Sequence, residues 1–240
     1  AEFGLDYSHS GCIKLLARQG FEYRKLKPLS RVASAEKQAA FIASYEKLMR
    51  GLLADEAVYF ADAVHSAYQA MPAFGWVKVG SNPAVLSTAG RGPVNIHEAV
   101  NLKTFNAPFV EPTSVDMVNA VQLLTKIEEH NPDKRIIHVI WDNAAYHKAP
   151  DVRAFPSSTS CRIHLIQLPP YCPHLNSIKR PWGVLHQYVT HDRYHASQTQ
   201  FAHAILALMR EIIPQDWKTF RDKVSDNFRV INHEKFRVLE

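Results

Sequence analysis

Two aspartates stand where a chain with this pattern could do chemistry. Asp62 follows the β-type run Ala57-Val58-Tyr59-Phe60-Ala61, and Asp142 follows the apolar run Ile136-Ile137-His138-Val139-Ile140-Trp141. A carboxylate at the C-terminal end of a buried strand sits at the rim of a sheet, where open α/β folds build their sites. Two carboxylates converging on one point repel unless divalent cations lie between them, so their natural use is to hold Mg²⁺ or Mn²⁺. With a third acid, such a site activates water or a 3′-hydroxyl and stabilises the leaving oxygen of a phosphodiester. Taken singly, either aspartate reads more readily as a strand-end turn or cap residue. Asn143 and His147 follow the second acid closely enough to orient it or to touch a bound phosphate.

The elements that would position these groups can be read from periodicity. Ser8 caps a short amphipathic helix over residues 9 to 19 that Gly20 ends, and a connector from Leu26 to Val32 carries Pro28. Phe41, Ile42, Tyr45, Leu48, Met49 and Leu52 recur at helical spacing from Ser34 to about Leu53. The strand ending at Asp62 comes next. The aromatic, Pro- and Gly-punctuated stretch from Ala67 to Leu86 predicts short antiparallel strands, and Val94 to Leu102 with Thr104 to Val110 predicts a hairpin. Val115, Val118, Val121, Leu124 and Ile127 mark a helix, ended by Asn131-Pro132 before the strand that stops at Asp142. Arg162 to Leu168 is a further strand, broken by Pro169-Pro170. Leu175, Ile178, Trp182, Leu185 and Val189 predict an amphipathic helix, and Gln198 to Ile213 and Gln215 to Lys223 two more. Trp182 and Tyr171 are expected in the core. The order implies an α/β fold, a mixed sheet flanked by helices.

Composition sets the class. The chain has 240 residues, 46% hydrophobic and 21% charged, enough for one sizeable core. No apolar run reaches the roughly 20 residues of a membrane span and no signal peptide opens the chain, so a cytoplasmic protein with no membrane partner is expected. The three cysteines Cys12, Cys161 and Cys172 are odd in number and scattered, which argues against a disulfide framework. Cys161 with His164 and Cys172 with His174 lack zinc-finger spacing, so a structural zinc protein ranks last among the readings. A net charge of +5 tilts the expected partner toward a polyanion, and Arg24-Lys25-Leu26-Lys27 is the densest basic cluster near the start.

Longer motifs add a family. Val58-Tyr59-Phe60-Ala61-Asp62-Ala63-Val64-His65, Trp76-Val77-Lys78-Val79-Gly80 and Gly90-Arg91-Gly92-Pro93-Val94-Asn95-Ile96-His97 resemble the first half of the catalytic domain of bacterial insertion-sequence transposases of the mariner superfamily of DDE endonucleases. Ile140-Trp141-Asp142-Asn143-Ala144-Ala145-Tyr146-His147 is similar to their second-acid motif. Leu168-Pro169-Pro170-Tyr171-Cys172-Pro173-His174-Leu175-Asn176 is similar to the run before the third acid, and Asp226-Asn227-Phe228-Arg229-Val230-Ile231 to the domain's end. The resemblance implies an RNase H-like fold over residues 31–240, Asp62 and Asp142 as ligands of Mg²⁺ or Mn²⁺, and double-stranded DNA, the element's terminal repeats and target, as partner. It also implies a homodimer in the active complex. Residues 1–30 would be the end of a helix-turn-helix region and its linker, with Arg24, Lys25 and Lys27 touching DNA. The chain begins without Met just before this helix, which suggests that a preceding portion of a larger protein is absent.

The pattern breaks at one place. Where the family continues with proline, isoleucine, glutamate, two variable residues and tryptophan, this chain reads Ser177, Ile178, Lys179, Arg180, Pro181, Trp182. Asn176 and Trp182 fix the register, so Lys179 stands at the position of the third catalytic acid. An ammonium cannot ligate Mg²⁺ and brings positive charge where the ion belongs. The expected function is therefore a cut-and-paste DNA transposase, metal-dependent in phosphodiester cleavage and strand transfer, impaired at Lys179. The alternative is a transposase-derived protein that binds DNA without cutting it.

Overall fold

Strands buried on both faces build the sheet. The computed structural model describes residues 8–23, 32–74, 83–88, 92–157, 160–215, 218 and 225–231. The strands are β1 (Glu56–Ser66), β2 (Val94–Val100), β3 (Phe109–Val110), β4 (Ile136–Trp141) and β5 (Ile163–Gln167), in the order β3-β2-β1-β4-β5. The pairs β1/β2 and β2/β3 are antiparallel, whereas β1/β4 and β4/β5 are parallel.

Helices cover both faces, because side chains leave each strand with a period of two and both sets are apolar. Val58, Phe60 and Val64 of β1, Ile96 and Val100 of β2 and Ile140 of β4 face one core. It is closed by α2 (Ala35–Gly51) through Phe41 and Tyr45, by α5 (Lys179–Leu185) through Trp182 and Leu185, and by α6 (Gln198–Ala207) through Phe201 and Ile205. Ala57, Tyr59, Ala61, Ile137, Val139 and Trp141 point the other way, against Ala120, Leu123, Leu124 and Ile127 of α3 (Met117–Glu129). The short α4 (Pro150–Ala154) lies between β4 and β5 in the chain.

The closing segment 225–231 is tied into the first core. Phe228 packs edge-on against Phe41, Tyr45 and Phe60. The Tyr45 hydroxyl donates to Asp226 at 2.7 Å, and the Gln38 amide bonds the backbone of Ile231 in both directions.

The helix α1 (His9–Arg18) is capped by Ser8, whose hydroxyl oxygen accepts from the Gly11 amide, and none of its residues is buried. It belongs to a compact unit spanning Ala1–Arg31, distinct from Val32–Glu240. Arg24, Lys25 and Lys27 lie outside the described residues.

Several expected elements are redrawn. β1 does not stop at Asp62 but continues to Ser66, because antiparallel pairing with β2 carries it on after β4 has ended. No strand forms in the described residues between Ala67 and Leu86; there the backbone of Met71 pairs instead with Thr190 and Asp192. The second arm of the hairpin shrinks to Phe109–Val110. The helix expected from Leu175 starts only at Lys179, after a 3₁₀ turn at Pro173–Leu175, and widens into a π-type turn at His186–Thr190. Most of the helix expected over 215–223 falls outside the described residues.

Candidate active site

The register sets both aspartates at one level. β1 and β4 pair through Phe60↔Ile140, so two more residues along each strand reach Asp62 and Asp142. Both carboxylates line one cavity of about 430 Å³ at the C-terminal ends of the parallel strands, together with Asn143, Asn176 and Lys179.

Asp62 is 4% exposed. Its Oδ1 accepts the Ala63 amide at 2.7 Å, while the Asn176 amide donates to the Ala61 carbonyl at 3.1 Å and reaches Asp62 Oδ2 at 3.4 Å. Asn176 itself is buried at the close of the 3₁₀ turn before α5. Burial lifts the Asp62 carboxyl above the usual carboxylate range, Lys179 pulls it back, and the charge of Asp142 raises it further.

Asp142 is more open and more strongly solvated by donors. His147 Nδ1 lies 2.9 Å from Oδ1, and the Ala144 amide donates to the same oxygen at 2.9 Å. Partial burial raises this carboxyl, but the bonds from His147 and Ala144 and the charges of His147 and Lys179 outweigh it, so Asp142 sits below the ordinary value. The His147 ring is clamped, stacked on Trp141 with centroids 4.1 Å apart. Its Nε2 lies 3.3 Å from Nε2 of the buried His97. A carboxylate only accepts, so His147 Nδ1 carries the proton toward Asp142. Burial and the neighbouring His147 hold His97 neutral, down to about 3, and its Nδ1 is without a hydrogen-bond partner in the described residues. Asn143 donates through its amide to the carbonyl of Leu168, joining the ends of β4 and β5.

The Lys179 ammonium forms an ion pair with Asp62 Oδ2. It also lies 4.5 Å from the centroid of the Trp182 ring, one helical turn on. The Trp182 indole in turn donates to Glu98 Oε2 at 3.1 Å. Glu98 is the register partner of Asp62 across β1 and β2, and burial pushes its carboxyl up to about 7 against the lowering effect of the Trp182 bond.

The sequence-derived site residues Asp62, Asp142, Asn143 and Lys179 therefore line one cavity, with His147 directly behind Asp142. Trp182 is buried as expected, but Tyr171 is not in the core: it is 66% exposed on the rim of this cavity, because its backbone adopts a left-handed turn with φ 61° between Pro170 and Cys172. Asn176, His97 and Glu98 were not anticipated. A signal for Glu98 exists, an acid breaking the apolar alternation Ile96, Glu98, Val100. For His97 no local signal stands out, since its partner is 50 residues away.

A divalent ion of the kind that paired strand carboxylates suggest does not fit this donor set as it stands. Among the described residues no group of three or more His, Cys, Asp or Glu side chains is arranged to hold a metal ion. One Asp62 oxygen is taken by an ammonium and one Asp142 oxygen by an imidazole and an amide.

A mixed five-stranded sheet with helices on both faces and two aspartates where the parallel pairing of two adjacent strands ends defines an RNase H-like domain. Residues 57–202 match the family described as DDE superfamily endonuclease, and the chain belongs to that family. Residues 1–45 match the winged helix-turn-helix family. That match runs into α2, although Phe41 and Tyr45 of this helix are buried against the sheet. A curated relative, the insertion element IS630 uncharacterized 39 kDa protein of Shigella sonnei, is 21% identical over 199 residues, 83% of this chain. The chain spans 57% of that relative's length. Among solved structures, a pre-cleavage Mos1 transpososome aligns with a TM-score of 0.57 at 12% identity over 92% of this chain and 72% of the other. The Mos1 mariner paired end complex with Mn aligns at 0.57 and 11% identity over 91% and 71%. At that identity the likeness shows the fold. No helix among the described residues is long and apolar enough to cross a membrane.

Proposed function

We propose that this chain is the catalytic portion of a DNA transposase of cut-and-paste type in which Lys179 holds the place of the metal ion, so that phosphodiester cleavage and strand transfer are strongly impaired while DNA is still held. The observation that carries the reading is the ion pair between the Lys179 ammonium and Asp62, at the position of the family's third acid. Asp62 and Asp142 are the two carboxylates left at the positions of the family's metal ligands. His147 and Asn143 position Asp142 and the end of its strand. The partner is double-stranded DNA, the element's ends and target, bound by a homodimer. Residues 1–30 carry the end of the DNA-binding region and its linker, with Arg24, Lys25 and Lys27 on phosphate, and residues 31–240 the catalytic domain. The match to a winged helix-turn-helix family and the structural likeness to a pre-cleavage Mos1 transpososome support this reading. Its limit is a transposase-derived protein that binds DNA without cutting.

The test is nicking and strand transfer on element-end duplex with Mn²⁺, by the parent chain and by Lys179→Glu. The expected result is DNA retention without measurable cleavage by the parent, and cleavage by Lys179→Glu. A parent chain that cuts as fast as Lys179→Glu contradicts the proposal.

A further inference from the structure

The segment after β5 does something costly with an aromatic residue. Pro169 and Pro170 fix an extended path. Cys172 then turns back into the fold: it is 3% exposed, its thiol donates to the Pro170 carbonyl at 3.3 Å, and its own carbonyl accepts the Leu175 amide at 3.0 Å. Tyr171, between these anchors, takes φ 61°, a left-handed conformation that bulky side chains disfavour and that Gly or Asn adopts more readily. The result is a large ring 66% exposed to solvent, a second unfavourable feature in the same residue.

The ring is not exposed at random. It stands on the rim of the cavity that holds Asp62 and Asp142, whose lining also includes two lysines, Lys148 and the Asp62-paired Lys179. An aromatic face beside cations is the chemistry by which proteins take hold of single-stranded nucleic acid, the ring stacking a base while the cations follow the backbone. A cavity of about 430 Å³ is of the size that admits a small-molecule-sized group and not a duplex.

We infer that Tyr171 is a stacking platform for one unpaired nucleobase at a DNA strand end, the neighbouring phosphate lying between Lys148 and Lys179. This rests on the DNA reading given above and adds the state of the substrate to it: a frayed or overhanging end in preference to a blunt one.

The experiment measures binding of a short duplex with a single-stranded 3′ overhang carrying 2-aminopurine, beside the same duplex with blunt ends. The proteins are the parent chain, Tyr171→Phe and Tyr171→Asn; asparagine tolerates the left-handed backbone and removes the ring without disturbing the turn. The expected result is quenching of 2-aminopurine by the parent and Tyr171→Phe, its loss in Tyr171→Asn, and overhang affinity weakened about tenfold or more in Tyr171→Asn at unchanged blunt-end affinity. Equal quenching and affinity in the parent and Tyr171→Asn overturn the inference, as does a Tyr171→Phe as weak as Tyr171→Asn. Failure of the parent chain to bind either duplex overturns the DNA reading itself, and the inference with it.

Discussion

Glu98 gives the surroundings of the site a pH dependence of their own. Its carboxyl is buried opposite Asp62 and raised from an ordinary 4.5 to about 7, so the folded chain keeps a proton that the unfolded chain releases. The stabilising contribution is fully present below the ordinary carboxylate value and is lost as pH rises toward about 7. Its full size is on the order of 3 kcal/mol. Thermal unfolding of the parent should therefore show stability falling between pH 4.5 and 7, and Glu98→Gln, which keeps an acceptor for Trp182, should flatten that slope. An unchanged slope places the titration elsewhere. At this scale the two aspartates that share the cavity were legible because each follows an apolar run and sits in a family motif, and Lys179 because Asn176 and Trp182 frame it. Glu98 and His97 were less so, since what makes them matter is a cross-strand partner that only pairing reveals.

The helix α5 accommodates three residues ill suited to a helix start, Lys179, Arg180 and Pro181. Cations in a first turn oppose the helix dipole by roughly 0.3 to 1 kcal/mol each when exposed. Here Lys179 is offset by Asp62, and Arg180 donates to the Ser225 hydroxyl and, at 3.5 Å, to the Asn227 carbonyl, holding the closing segment. Pro181 falls in the first turn, where a missing N–H costs little, and the Ser177 carbonyl already accepts from Arg180 at 3.1 Å. Pro181→Ala should accordingly change unfolding free energy by less than about 1 kcal/mol. Trp182→Phe should cost about 1 to 3 kcal/mol, because it strips the buried Glu98 of its donor. Chemical denaturation of both variants checks the contrast, and equal effects would mean that the indole N–H does not matter. Periodicity placed this helix but not its first residue, because the apolar spacing of Leu175 and Ile178 continues through a 3₁₀ turn that packs into the same core. The extension of β1 past Asp62 was hidden for a similar reason: Ala63, Val64, His65 and Ser66 look like a loop until β2 pairs with them.

At the scale of the whole molecule, the mixed sheet and its helices were readable from the order of elements, whereas the strand order β3-β2-β1-β4-β5, which sets Asp62 beside Asp142, is a property of the pairing alone. Under the proposed function, a net charge of +5 and the basic run near the start make binding of duplex DNA a counterion-release process. Binding should weaken steeply between low and moderate salt, and replacing Arg24, Lys25 and Lys27 together by Ala should lower the slope of log K against log salt by about three. A salt-independent association would contradict phosphate contact by these residues.

The claim on which the account turns is that an ammonium replaces a divalent cation at Asp62. A ligand that binds only the folded chain raises its melting temperature by mass action. Thermal unfolding of the parent and of Lys179→Glu across a Mn²⁺ titration is therefore the most direct measurement. Little or no shift is expected for the parent and a clear, concentration-dependent rise for Lys179→Glu. Equal shifts in the two proteins would contradict it, because the ion would then be held by a site that Lys179 neither fills nor blocks.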